Sequence, residues 1–162
     1  MKRQFFLFFS LIGFIVYCYT KSDHTSSSTQ KAQLSPSKKV ISVANSFLNT
    51  PYRAGGTSKS GMDCSGLVQT SFKEINIRLP RTSAAMSRFG NVISKEKIKP
   101  GDLLFFKINR LKGAVNHVGL VTRVIKGNIY FIHSTTKKGV IISSLQENYW
   151  AASFAKAVRV IE

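Results

Sequence analysis

Asp63-Cys64-Ser65-Gly66 is the segment of this chain best suited to nucleophilic chemistry. It sits where a glycine-containing loop, Arg53 to Gly61, is expected to run into a helix. Asp63 is a good helix cap, which sets Cys64 in the first turn. The positive end of a helix dipole favours a thiolate there. Unpaired backbone N–H groups at the same end suit a developing oxyanion. A free cysteine is also a common small core hydrophobe, so position alone leaves both roles open for Cys64.

A nucleophilic thiol needs a base, and the base needs an orienting partner. Outside the N-terminal stretch the only histidines are His117, in Asn116-His117-Val118-Gly119, and His133, in Phe131-Ile132-His133-Ser134. A lone strand histidine is usually structural. Two of them following one well-placed cysteine match the logic of a helix-borne thiol and sheet-borne imidazoles. The two histidines offer no third ligand at zinc-like spacing, and two cysteines cannot build a four-thiolate site, so neither a metal nor another cofactor is expected.

The elements that must hold these groups are readable from periodicity. Val40, Val43, Ala44, Phe47 and Leu48 recur at helical spacing, with Ser35 or Ser37 as cap and Pro36 in the first turn. Leu67, Val68, Phe72 and Ile75 share one face of a second helix that begins near Asp63-Cys64, and a short helical stretch is expected from Thr82 to Arg88. After the Pro100-Gly101 turn the pattern changes to strands: 102–108, 117–125, 129–133, 140–143 and 155–161. Lys126-Gly127-Asn128 reads as a hairpin turn. Helices first and strands afterwards make an α+β domain. A tight two-residue turn in that hairpin would put His117 and His133 on opposite faces. The two rings can therefore meet only if a bulge or wider loop lies between Thr122 and Asn128.

The 162 residues suggest one domain plus a short appendage. Residues 1–19 open with Lys2-Arg3 and continue as an uncharged run from Phe5 to Tyr19, the n-region and h-region of an export signal or a short membrane anchor. Cys18 closes that run and is a candidate lipidation site. Residues 20–38, rich in Ser, Thr, Gln and Lys, read as a flexible tether, leaving 39–162 as the folded domain. The balance of 24 Lys+Arg against 7 Asp+Glu, a net charge of +17, attracts polyanions. Anionic wall polymers and acidic membrane headgroups are candidate partners. Nucleic acid is not expected, since clustered basic-aromatic repeats are few.

Six segments together carry a resemblance: Thr50-Pro51-Tyr52-Arg53-Ala54-Gly55-Gly56, Asp63-Cys64-Ser65-Gly66-Leu67-Val68, Leu79-Pro80-Arg81-Thr82-Ser83, Pro100-Gly101-Asp102-Leu103-Leu104-Phe105-Phe106, His117-Val118-Gly119-Leu120-Val121, and Phe131-Ile132-His133-Ser134. Their order across residues 39–161 resembles the NlpC-type cell-wall cysteine peptidases. The resemblance implies a papain-like fold, N-terminal helices packed on a small antiparallel sheet. It implies a Cys64–His117–His133 triad cutting peptidoglycan stem peptides or cross-links near diaminopimelate through a thioester, in the periplasm or cell envelope. It gives Tyr52 and Ser65 a role at the nucleophile and oxyanion, and sets Asp63, Arg81, Thr82 and Ser83 on the substrate rim. A non-catalytic basic wall-binding module, and an amidase or acyltransferase on the same fold, are the competing functions.

Overall fold

The computed structural model describes residues 34–162; the apolar run and Cys18 lie outside the described residues. The first helix, α1 (Pro36–Asn45), starts at Pro36 with Ser35 as N-cap, so the last three residues of the stretch read as tether are helical. Proline suits this position because its missing N–H is not needed in a first turn. A two-stranded ribbon follows, β1 (Thr57–Ser58) and β2 (Gly61–Met62), then α2 (Cys64–Lys73) and the single turn α3 (Ser83–Met86). The main sheet is built from β3 (Asn91–Ile93), β4 (Leu103–Phe106), β5 (His117–Ile125), β6 (Asn128–Thr135), β7 (Gly139–Ser144) and β8 (Phe154–Arg159), with α4 (Asn148–Ser153) between the last two. Its strand order is β3-β8-β4-β5-β6-β7 and every pairing is antiparallel. This is the expected α+β arrangement of helices on an antiparallel sheet.

Both faces of the sheet are covered, which is why β4 reads Leu-Leu-Phe-Phe with all four side chains buried. Leu103 and Phe105 point to a core shared with Val40 and Ala44 of α1 and Leu67, Val68 and Phe72 of α2. Leu104 and Phe106 point the other way, to a second core with Val121, Ile129, Phe131 and Trp150. The period-2 alternation of a strand sends successive residues to these two cores. Asp102, just before β4, is almost fully buried and takes two hydrogen bonds of 2.8 Å from Arg159 of β8 and one of 2.7 Å from the Lys99 N–H. That ion pair fastens the Pro100-Gly101 turn to the sheet.

The β5–β6 hairpin holds the two histidines. Lys126 (φ 48°) and Gly127 (φ 80°) form the two-residue turn, both with positive φ as a type I′ turn requires. The turn pairs Ile125 with Asn128, and that register alone would send His117 and His133 to opposite faces. The register shifts between Val121 and Arg123, however, leaving Thr122 as an extra residue, and Leu120 then pairs with Ile132. His117 lies three residues before Leu120 and His133 one residue after Ile132, so both project to the same face. Of the bulge or wider loop expected between Thr122 and Asn128, the structure has a bulge, at Thr122.

Candidate active site

Cys64 is the first residue of α2, and the loop before it is locked by one carboxylate. Asp63 accepts from the Gly66 N–H (2.6 Å), closing the helix cap, and from the Gly55 N–H (2.8 Å) of the preceding loop. Arg81 adds two hydrogen bonds to Asp63, of 2.6 and 3.1 Å, and one of 2.8 Å to the Ser65 hydroxyl. Burial alone would raise the Asp63 pKa, but the Arg81 hydrogen bond, the two backbone N–H groups and the Arg81 charge outweigh it and hold the carboxyl below its ordinary value. Gly66 is required here by contact: a Cβ at this position would run into the Gly56 carbonyl oxygen. The Ser134 hydroxyl donates to the Met62 carbonyl (2.7 Å), tying the strand beside His133 to the segment that leads into Cys64.

Cys64 is half-buried and lines a cavity together with His117. Burial pushes the thiol above its ordinary pKa, the Val118 N–H pulls it back in part, and the Asp63 charge raises it further. The N–H groups of Cys64 and Ser65, at the start of α2, also pull it down in part. Tyr52, held beside β2 by a bridge to Met62, lines a cavity together with Cys64, and its hydroxyl pKa is raised by burial and then by the charges of Cys64 and Asp63.

His117 Nε2 and His133 Nδ1 are 2.9 Å apart, and His133 Nε2 is 3.1 Å from the Ser143 hydroxyl. His133 is fully buried and His117 and Ser143 nearly so. Burial, with the Arg110 charge second, lowers the His117 pKa from 6.5 to about 4. Burial and then the neighbouring His117 push His133 lower still. Both rings are therefore neutral near pH 7. The burial has an identifiable source: Trp150 stacks on His117 at 5.4 Å between ring centroids and 20° between planes, and meets His133 edge-on at 4.5 Å. Phe106 and Phe131 close the other sides of this aromatic box, at 5.9 Å from His117 and 4.7 Å from His133.

Tyr52, Cys64, His117, Arg110, Ser143 and Trp150 all line one cavity of about 590 Å³. His133 lies behind His117 rather than in the wall. Asp63, Ser65 and Arg81 form their own network beside Cys64, outside the cavity lining. Thr82 caps α3 through the Ala85 N–H (3.2 Å) and Ser83 begins that turn, both away from the lining. Among the described residues no cluster of three or more His, Cys, Asp or Glu side chains has the makings of a metal site. Three residues of the site escaped the sequence reading: Trp150, Ser143 and Asn116. Asn116 accepts from the Ile108 N–H (2.8 Å) and donates to the Ile108 carbonyl (3.0 Å), closing the 107–116 loop just ahead of His117. Its place directly before a candidate base was a usable signal, as was the chain's single tryptophan.

The NlpC/P60 family pattern matches residues 49–159. A "probable endopeptidase NlpC homolog" of Haemophilus influenzae is 41% identical over 139 residues, which is 85% of this chain and 70% of that protein. A "murein DD-endopeptidase/murein LD-carboxypeptidase" of Escherichia coli is 40% identical over 111 residues, 68% of this chain and 55% of that one. Among solved structures, an NlpC/P60 family protein of Bacillus cereus superposes with a TM-score of 0.69 at 35% identity, covering 78% of this chain and 40% of that one.

Proposed function

Because this chain belongs to the NlpC/P60 family and is a cysteine-type peptide hydrolase, we propose that it cuts peptidoglycan stem peptides or their cross-links near diaminopimelate, with Cys64 as nucleophile, His117 as base and His133 as the orienting residue. The observation that carries this reading is the 2.9 Å contact between His117 and His133 behind a cavity that Cys64 and His117 line together.

The hydrogen-bond chain supports a definite set of tautomers. His117 Nε2 is engaged with His133, so its other ring nitrogen, Nδ1, is the one free to take the thiol proton. His117 must then carry its resting proton on Nε2 and donate to His133 Nδ1. His133 in turn carries its proton on Nε2 and donates to Ser143. Ser143 thus fixes the far end of the chain. With the thiol pKa raised and the imidazole pKa lowered, the resting pair is neutral. Proton transfer accompanies attack on the peptide carbonyl, and the imidazolium that forms shares its Nε2 proton with His133.

The tetrahedral oxyanion falls to the helix end, where the Cys64 and Ser65 N–H groups and the Tyr52 hydroxyl are the available donors. His117 then gives its proton to the departing amine, leaving a thioester on Cys64. Water, deprotonated by the same imidazole, releases the acid. Asp63, Ser65 and Arg81 serve this scheme by holding the first turn of α2.

The positive charge and the apolar run after Lys2-Arg3 support a reaction outside the cytoplasm, the run serving either as a cleaved export signal or, through Cys18 or the run itself, as a membrane attachment. Digestion of purified peptidoglycan by the wild type and by Cys64→Ala, with mass analysis of the fragments, tests the proposal. New peptide termini beside diaminopimelate from the wild type alone are expected; cleavage by both proteins removes Cys64 from the mechanism.

A further inference from the structure

The charge of the cavity wall has no part in the scheme above. Arg110, from the loop between β4 and β5, and Lys137 and Lys138, from the turn between β6 and β7, all line the cavity. None of the three is in a salt bridge: among the described residues those bridges join Arg81 to Asp63 and Arg159 to Asp102. The acid in the lining, Glu147, is committed elsewhere, accepting from the Ser144 N–H at 2.7 Å. The wall thus presents three cations outside any salt bridge against one carboxylate, around a concavity that also carries Leu111, Ile141 and Trp150. Cations at a concave, partly apolar wall focus their field into the opening and bind an anion more strongly than the same groups on open surface.

Position narrows what the anion is. Arg110 shares the cavity wall with His117, and the 107–116 loop that carries it is closed just ahead of His117 by the hydrogen bonds between Asn116 and Ile108. In the scheme above His117 hands its proton to the departing amine, which sets Arg110 on the leaving-group side of the scissile bond. A guanidinium there is matched in shape to a carboxylate.

We infer that Arg110, flanked by Lys137 and Lys138, binds a free carboxylate on the departing residue, making the preferred substrate an acidic peptide with that group unblocked. The inference rests on the cysteine-hydrolase reading and names the substrate class of the same cavity. It carries a further consequence. A carboxylate against Arg110 offsets the lesser of the two influences that disfavour a proton on His117, burial being the larger, so the right substrate makes His117 a better acceptor of the Cys64 thiol proton. The free acid then gains in kcat as well as in KM.

The test uses two synthetic stem peptides with diaminopimelate on the leaving side, one with its carboxylate free and one with it amidated. For the wild type at low salt, the free acid is expected to be favoured roughly tenfold in kcat/KM, about what one well-placed charge pair supplies. The preference should shrink as salt is added. In Arg110→Gln the ratio between the two peptides should fall to within about twofold of one, and in Lys137→Gln/Lys138→Gln to an intermediate value. A wild type indifferent to amidation, or an Arg110→Gln variant that keeps the full preference, overturns the inference. Calorimetric binding of both peptides to Cys64→Ala separates this failure from failure of the catalytic reading. If the wild type cuts neither peptide, tighter binding of the free acid that disappears in Cys64→Ala/Arg110→Gln still upholds the anion site, and equal affinities reject it.

Discussion

Replacing Ser143 by Ala removes one oxygen from the far end of the histidine chain and should be felt at the sulfur. His133 is fully buried, and its Nε2 has the Ser143 hydroxyl at 3.1 Å as partner. Without that acceptor, an Nε2–H on His133 is left unpaired, a cost of roughly 1–3 kcal/mol. The ring can avoid the cost by moving its proton to Nδ1, which faces His117 Nε2 at 2.9 Å. His117 must then accept on Nε2 and carry its own proton on Nδ1, the nitrogen required to be bare for the thiol proton. The competent tautomer is disfavoured by the same 1–3 kcal/mol, and at 1.4 kcal/mol per decade kcat should drop by about 5- to 140-fold, with the middle of the range near 30-fold. KM should stay within about twofold, because the loss falls on proton transfer. Ser143→Thr, which keeps the hydroxyl, should restore most of kcat. Steady-state kinetics on a defined stem peptide give both constants, and imidazole nitrogen NMR reports the tautomer of each ring. Wild-type kcat in Ser143→Ala, or a Ser143→Thr variant as slow as Ser143→Ala, refutes the chain of reasoning.

Other outcomes follow from the same geometry. Trp150→Ala strips the stacked ring from His117 and should cost about 3–5 kcal/mol in urea unfolding. Because burial is the main cause of the low His117 pKa, the acid limb of kcat/KM should also move up from about 4 toward 6.5 in that variant. The wild type should lose stability as pH falls: its buried His117 excludes a proton that the unfolded chain accepts, so stability is full above pH 6.5 and is lost between 6.5 and about 4. That loss should amount to roughly 3 kcal/mol from His117 alone, readable as a falling urea midpoint across the window, whereas a flat midpoint would contradict the burial argument. Gly66→Ala forces the first turn of α2 away from the Gly56 carbonyl and should reduce both melting temperature and alkylation of Cys64 by iodoacetamide, with unchanged alkylation counting against the contact.

What the sequence revealed and what it hid have physical causes. Asp63 and Cys64 were legible because a cap residue, a loop rich in glycine and a helical apolar face converge on one spot. The need for a bulge or a wider loop between Thr122 and Asn128 was legible too, from side-chain parity across the hairpin, whereas its form and its place at Thr122 are set by the strand register. β4 to β8 announced themselves through β-branched and aromatic runs long enough to show a period. β1, β2 and β3 did not, being only two or three residues long. The short helix α4 was missed for the same reason. Its one buried side chain, Trp150, gives no periodicity, yet it lids the histidine pair. Ser143 looks in sequence like any polar residue alternating along an edge strand. Only the β6–β7 register, pairing Phe131 with Ser143, reveals that it shares a face with His133. The Asp63 carboxylate, expected at the substrate rim, is engaged with Gly55, Gly66 and Arg81, contacts that no local pattern announces.

The most direct trial of the central claim is intact-protein mass spectrometry of the enzyme quenched with acid during turnover of a stem peptide. A transient adduct equal in mass to the acyl half of the substrate is expected, mapped to Cys64 after digestion and absent from Cys64→Ala. Turnover with no adduct at Cys64 under any quench time, or an adduct on another residue, would contradict that claim.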